Sequence, residues 1–416
     1  MAMMFWRLVL LVGAAGLVTS TGYLLLVLIA SARFRRGGAQ RLPDSAELPS
    51  VTLLKPLCGM EPNLEVHLES FFRQQYPSFE IIFGARRDDD PALEVVRRIS
   101  RKYPLVPVKI VTTGEPRHPN AKVCSLVQMY THAAHDYLII SDSDVKVTPN
   151  YIAEVVRPLL QPENGLVTCL YRGVPTGGFW SQLEALGMSV EMTSGAIVAN
   201  LIEGMKFALG PTMAVRRDAL DAVGGFEPLA DYCADDYVLG REVSDSGRQV
   251  VMSQHVIDHV VINRRFECSM RHQIRWMKST RFSRRAGHAG TVLTFSMPFG
   301  VLALVAAGAL HHWTLGIGLF AAAYLNRVVM AVVAGWGVVR DPQVLRLAWL
   351  YPVRALMGFV FWCASYSGRE IEWRGDWYRL EPGGRMVLVR PSAATIARTL
   401  AETEAATPAA VADRYS

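Results

Sequence analysis

Asp136-Tyr-Leu-Ile-Ile-Ser-Asp-Ser-Asp-Val-Lys-Val147 is the stretch on which the fold turns. Tyr137 to Ile140 is a short apolar run bounded by polar residues, the pattern of a buried strand in a parallel sheet. Asp142 and Asp144 follow at once, where such a strand leaves the sheet, and open α/β sheets bind ligands at that edge. Two acids with one residue between them suit Mg²⁺ or Mn²⁺, hard cations that take carboxylate oxygens and then grip phosphates. A polar turn after a strand has the same appearance, so the choice depends on the surrounding sequence.

Upstream, strands and helices alternate. Val51-Thr-Leu-Leu reads as a strand ended by Lys55-Pro56, and Leu64, Leu68, Phe71 and Phe72 have helical spacing. Phe79 to Phe83 is a second strand running into Asp88-Asp89-Asp90-Pro91, and Leu93 to Tyr103 an amphipathic helix. Val106 to Val111 is a third strand, Asn120 to Ala134 a helix, and the Asp142 strand follows. This order implies a parallel sheet covered by helices on both faces, an α/β architecture of nucleotide-binding type. Lys-Pro, the acidic triplet and Asp-Ser-Asp would then gather on one sheet edge.

Downstream, Gly165 to Tyr171 and Phe207 to Val215 read as strands, and Asp218 to Val223 as a helix stopped by Gly224-Gly225. Phe179 to Met205 mixes aromatic, Met and small residues with three acids; an interfacial helix touching lipid fits it, and a core helix is the alternative. A second acidic cluster, Asp231-Tyr-Cys-Ala-Asp-Asp-Tyr237, precedes a helix through Val243. Capping accounts for Asp235 but leaves Asp236 unexplained, since one cap suffices. Arg264 to Arg285 is basic with aromatic interruptions and reads either as a juxtamembrane cluster or as part of the site.

The 416 residues are 51% hydrophobic, too apolar for an ordinary soluble protein, with a formal charge of +6. The cations cluster beside apolar segments, as membrane-surface and topology signals do; nucleic acid is a poor partner for that pattern. Leu8 to Ala32 has no charged side chain and is long enough for a span, at roughly 20 residues each. Arg33, Arg35 and Arg36 follow, placing what comes next in the cytoplasm by the positive-inside rule. Residues 1–36 are therefore a signal anchor, 37–50 a linker and 51–286 a cytosolic domain. Residues 287–368 form a membrane domain with candidate spans Thr291–Leu310, Trp313–Val339 and Leu347–Tyr366, one of which could be re-entrant. Arg327 inside the second must face protein or a cavity. Residues 369–416 are a basic tail and a low-complexity end expected to be disordered. Six scattered cysteines support neither a disulfide framework nor a zinc cluster.

Together the groups describe one chemistry. A divalent metal (Mn²⁺ or Mg²⁺) at Asp142 and Asp144 would neutralise a diphosphate and improve it as a leaving group. Arg275 could add charge-assisted contacts, and Asp236 would be free to take a proton from an incoming hydroxyl as general base. That is displacement of a nucleoside diphosphate from a sugar by an acceptor, with inversion. A catalytic domain tethered to the bilayer implies a membrane-resident acceptor.

Leu54-Lys-Pro-Leu57, Glu61-Pro-Asn63, Gln75-Tyr-Pro77, Asp89-Asp-Pro91, Asp142-Ser143, Ala234-Asp-Asp-Tyr237 and Ile274-Arg-Trp276 occur in an order and spacing that resemble the ceramide glucosyltransferase family, with its bacterial relatives acting on hopanoid lipids. The resemblance covers Leu53 to about Met277. It implies a GT-A type, Rossmann-like, mostly parallel glycosyltransferase domain with one N-terminal and about three C-terminal transmembrane helices. It also implies a UDP-sugar donor and a ceramide or hopanoid acceptor. Carried over by residue, it implies nucleotide-sugar contacts at Lys55, Pro56, Asp89, Asp90, Lys122, Asp142, Asp235, Arg275 and Trp276. Metal binding falls to Asp142 and Asp144, and catalysis to Asp236. Two departures stand out. His272 occupies a position that is usually Gln or Arg and receives no role. Asp-Ser-Asp, where animal ceramide enzymes have Asp-Ser-Gly, leans towards bacterial relatives, as does Gly165 to Pro175. The donor stays open between UDP-glucose and UDP-N-acetylglucosamine. A processive polysaccharide synthase shares the acidic motifs but needs more spans; a transporter would carry its polar site within broken helices.

Overall fold

The computed structural model describes residues 1–37, 48–263 and 265–391, together with 393 and 396. The expected linker and the low-complexity end lie largely outside the described residues.

The strands are β1 (Val51–Pro56), β2 (Phe79–Ala85), β3 (Val108–Thr112), β4 (Tyr137–Ser141), β5 (Val145–Lys146), β6 (Asn164–Pro175), β7 (Thr212–Arg216) and β8 (Gln249–Val261). They form one sheet in the order β3-β2-β1-β4-β7-β6-β8-β5. β1 to β4 pair in parallel, as do β6 and β8, while β7 runs antiparallel between β4 and β6. Helices cover both faces, so Leu138, Ile139 and Ile140 of β4 have no exposed surface. Each such side chain contributes about 1.5–3 kcal/mol relative to leaving it in water. Leu54 is in register with Ile140, and Ser141 with Thr212. The ends of β1, β2, β3 and β4 and the start of β7 therefore share one edge, as the alternating pattern predicts.

Several expectations need correction. The strand expected at Phe207–Val215 begins only at Thr212, because Pro211 has no N–H for a ladder; the residues before it turn into the sheet edge. β8 falls in a stretch with no sequence assignment. The expected span Thr291–Leu310 is broken: Arg285–Thr294 and Met297–Ala309 meet at 47°, with Pro298 starting the second helix. The expected basic tail is folded over Glu370–Arg390 into an antiparallel sheet of β9 (Glu370–Trp373), β10 (Asp376–Leu380) and β11 (Met386–Arg390). Ile371, Tyr378, Leu380 and Met386 bury against Phe282, which gives these strands a core of their own.

Ala2–Gly37, Phe179–Glu203, Trp313–Trp336 and Val344–Ala364 are each long and apolar enough to cross a membrane. The first helix approaches Met297–Ala309 so closely that a side chain at Gly16 would strike the Phe299 ring at 2.1 Å, the small-residue packing of membrane helices. Arg327 faces protein: it donates to the Thr294 carbonyl at 2.9 Å and to Asn326 Oδ1 at 2.8 Å. The Phe179–Glu203 run contains a π-helical turn, Met188–Met192. It is buried on its inner side, with Phe179, Met192 and Ile202 exposed.

Candidate functional site

β4 delivers Asp142 and Asp144 to the shared edge, and each carboxylate meets a basic side chain. Lys122, on the helix Ala121–Tyr130, reaches Asp142 Oδ1 at 2.7 Å. Asn120 caps that helix by accepting from Val123 N–H at 3.2 Å, which fixes where Lys122 projects. Asp144 Oδ2 lies 3.0 Å from His259 Nε2 on β8. Burial alone would raise the Asp144 pKa, but His259 outweighs it and holds the carboxyl below its usual range. Burial likewise opposes the charge on His259, and Asp144 overcomes it to raise the imidazole pKa.

Beneath this pair lies Lys55, with no exposed surface. Its Nζ donates to the Asp142 carbonyl and sits 3.8 Å from the centre of the Phe71 ring. Burial pulls its pKa down to about 7 even with Asp142 and Asp144 nearby. Lys55 thus supports the acidic turn from behind, and Pro56 ends β1 at the same edge.

The second acidic cluster comes from another direction. Asp235 and Asp236 open the helix Asp235–Asp245. Asp235 accepts from Asn120 Nδ2 at 3.1 Å and lies 3.7 Å from Lys122 Nζ. Asp236 has no cation within ion-pair distance among the described residues; its Oδ1 accepts from Tyr237 N–H at 2.8 Å. Burial first, and then the charge of Asp235, push its pKa up to about 6. The backbone at Gly210 passes so close that a side chain there would come within 3.0 Å of Asp236 Oδ2. Lys122 therefore joins the two acidic clusters, with burial outweighed by Asp142 and Asp235 so that its charge is reinforced.

The acidic triplet divides its work. Asp90 accepts from Ala92 N–H at 2.9 Å, capping the helix Pro91–Lys102, and from Gly59 N–H at 3.0 Å. Asp89 is exposed and paired with Arg87 at 2.6 Å. Arg275 and Trp276 lie on the helix Phe266–Ser283. Arg275 stacks 5.6 Å from the centre of the Trp373 ring, and Trp276 lies against His272 at 4.4 Å between centroids. His272 bonds Glu184 at 2.7 Å, bracing this helix against Phe179–Gly187. The same helix is held from the membrane side, where Gln273 accepts from Arg354 at 2.5 Å.

Sequence reasoning did not find His259, because β8 was unassigned; a histidine near the end of an apolar run was the available signal. It quoted Glu61 within a motif without a role. Glu61 packs beside the acidic turn, where burial and then the Asp144 charge raise its pKa. Asp144 Oδ1 and Glu61 Oε2 are both buried without a hydrogen-bond partner. Orphaned carboxylate oxygens are costly, so the donor set at Asp142 and Asp144 fits a divalent cation, which would relieve them. Among the described residues no three His, Cys, Asp or Glu side chains form a complete ligand set. Water and ligand oxygens would fill the remaining positions, as they commonly do for Mg²⁺.

Among solved structures, the mannosyltransferase PcManGT from Pyrobaculum calidifontis, in complex with GDP-Man and Mn²⁺, matches over 86% of this chain and 99% of its own, with a TM-score of 0.50 and 18% identity. That likeness concerns the fold, which is of the GT-A type. Ceramide glucosyltransferase 1 of Caenorhabditis elegans is 32% identical over 214 residues, 51% of this chain and 46% of that protein. The ceramide glucosyltransferase of Komagataella phaffii is 36% identical over 122 residues, 28% of this chain and 24% of that protein. The matches thus span about half the length of such relatives, or less. The sequence pattern of Glycosyl transferase family 21 extends much further, matching residues 12–386. The chain belongs to Glycosyl transferase family 21.

Proposed function

We propose that the chain is a membrane-anchored, inverting glycosyltransferase that moves glucose from UDP-glucose to the primary hydroxyl of ceramide. The observation that carries this is Asp236: a half-buried carboxylate with no ion pair among the described residues, its pKa pushed up to about 6, beside the Asp142–Asp144 turn. A carboxylate poised near neutrality can take the proton of a hydroxyl as its oxygen attacks the anomeric carbon. The bond from that carbon to the diphosphate breaks on the opposite face, so configuration inverts and UDP leaves. A divalent cation held by Asp142 and Asp144 would supply charge neutralisation on the diphosphate. Lys122 keeps the two acidic clusters in register, and Arg275 offers a guanidinium to the leaving phosphates. Asp89 remains exposed at the sheet edge, free to exchange Arg87 for the nucleoside.

The lipid acceptor is supported by the apolar helices and by the exposed aromatic rings of Phe179 and Phe266, which flank Trp180 beside the site's bracing helix. Arg33, Arg35 and Arg36 after the first span support a cytoplasmic catalytic domain, and the Asp-Ser-Asp motif supports a bacterial inner membrane as its location. The Asp-Ser-Asp motif favours a second reading, transfer from UDP-N-acetylglucosamine to a hopanoid. Purified protein offered both donors, each with ceramide and with a polyol hopanoid, with and without Mn²⁺, distinguishes the two. Metal-dependent glucosylceramide, lost in Asp236→Asn, is the expected result. Product only with the hopanoid pair would replace it with the second reading.

A further inference from the structure

The β9–β11 sheet grips both halves of the site. On one side it holds the acidic loop: Met386 N–H donates to the Asp231 carbonyl at 2.7 Å, Cys233 N–H to the Gly384 carbonyl at 3.1 Å, and Arg385 pairs with Asp231 at 2.7 Å. On the other it lies along the helix of Arg275: Lys278 donates to the Glu370 carbonyl at 2.9 Å, and Arg271 is 3.8 Å from Glu372. Arg271, Arg275 and Lys278 recur at helical spacing, so one face of that helix meets β9. Arg275 is then bounded by Trp373 on the hairpin and Cys233 on the acidic loop. Among the described residues no carboxylate pairs with it. A partly buried guanidinium without a counter-charge is costly, and an anionic ligand relieves that cost.

The residue after Trp373 is Arg374, at the turn joining β9 to β10. Trp373 pairs with Asp376, leaving Arg374 and Gly375 as a two-residue turn with φ 55° and 89°. Left-handed conformations at both positions favour Asn-Gly or Gly-Gly, and arginine at the first is a strained choice. Strain of this kind is retained where it serves a function. Arg374 is exposed and, among the described residues, has no ion pair. Its charge lies close enough to Arg275 to disfavour the charged guanidinium there, adding to burial.

We infer that the Trp373–Arg374 turn completes the donor site, with Trp373 orienting Arg275 and Arg374 serving as a second cation for the diphosphate. This rests on the nucleotide-sugar reading above. It gives the C-terminal sheet a role in donor recognition and explains why an arginine occupies a turn that glycine would fit better.

The test is UDP binding by titration calorimetry, with thermal unfolding in parallel, on the full-length protein in detergent. Arg374→Gly removes the cation while easing the backbone, so poor folding cannot mimic the expected result. That result is UDP affinity about tenfold weaker, as for loss of one charge-assisted hydrogen bond, with unchanged or improved thermal stability. Trp373→Ala should also weaken UDP, whereas Arg379→Ala, an exposed arginine on β10, should not. Wild-type affinity in Arg374→Gly, with UDP binding still lost in Asp142→Ala, would overturn the hairpin's role and leave the nucleotide reading intact. Absence of UDP binding by the unaltered protein would overturn both.

Discussion

Asp142 and Asp144 are paired with Lys122 and His259, whereas Asp236, reached from them through Lys122, has no ion pair of its own among the described residues. The two clusters share a sheet edge and a bridging lysine, yet their environments push in opposite directions. His259 keeps Asp144 ionised below the usual range, and burial beside Asp235 lifts Asp236 to about 6. Carboxylates separated in this way suit different tasks, which is the basis of the proposed division: the ionised pair to hold charge and the raised one to exchange protons. The difference arises from what each side chain meets and could not be read from a count of acids.

The strongest way to break this contrast is to remove the proposed base. Asp236→Asn should lower kcat by roughly 10²–10⁴-fold, with UDP binding retained. If binding collapsed instead, Asp236 would belong with the charge-holding cluster. The wild-type pH profile sharpens the same point. Asp236 must be deprotonated to act, so the rate should be maintained above pH 6 and fall as pH drops through about 6. In a kcat/KM profile, which reports the free enzyme, an acid limb near pH 4 would show that the raised pKa does not control the reaction.

Much of this division was legible before any coordinates. Tyr137–Ile140 announced a buried strand, and the period of the upstream segments placed its carboxylates at a shared edge. Asp236 stood out because a cap needs only one of the two acids; in the structure neither is the cap, since Ala234 holds that position with no side-chain bond and Asp235 instead meets Asn120 and Lys122. What escaped notice was carried by residues whose partners are remote in sequence. Asp144 and His259 are separated by 115 positions, and no local pattern links them. β9 and β10 were obscured by charge. Arg369, Arg374, Arg379, Arg385 and Arg390 read as a basic tail, yet the polar Glu370, Glu372 and Arg379 alternate with the inward-facing Ile371, Tyr378 and Leu380. Period-two alternation across an Arg-Gly turn was the missed signal. The break at Thr294–Met297 was hidden because hydropathy registers apolar length and is blind to the direction of a helix.

The charge-holding cluster should respond in a graded way. Asp144→Asn removes a proposed ligand and should abolish any Mn²⁺-dependent gain in UDP affinity. His259→Asn removes only the group that orients Asp144, so apparent metal affinity should fall by roughly 10–100-fold. Titrating Mn²⁺ against UDP binding reads both effects. Equal loss in the two variants would make His259 a ligand in its own right.

The smallest effect belongs to the acidic triplet, where adjacent residues again diverge. Asp90 gives oxygens to the N–H groups of Ala92 and Gly59, so it caps one helix and ties down the loop that carries Glu61. Asp90→Ala should lower folding stability by about 1 kcal/mol, while Asp90→Asn, still able to cap, should lose less. UDP affinity should change little in either, because both Asp90 oxygens already have backbone partners. Asp89, exposed and, among the described residues, ion-paired only with its neighbour Arg87, should show the reverse: an unaltered melting curve in Asp89→Ala with weakened UDP binding. A melting curve unmoved by Asp90→Ala, with UDP affinity lost, would shift the nucleotide contact from Asp89 to Asp90 and reassign the cap.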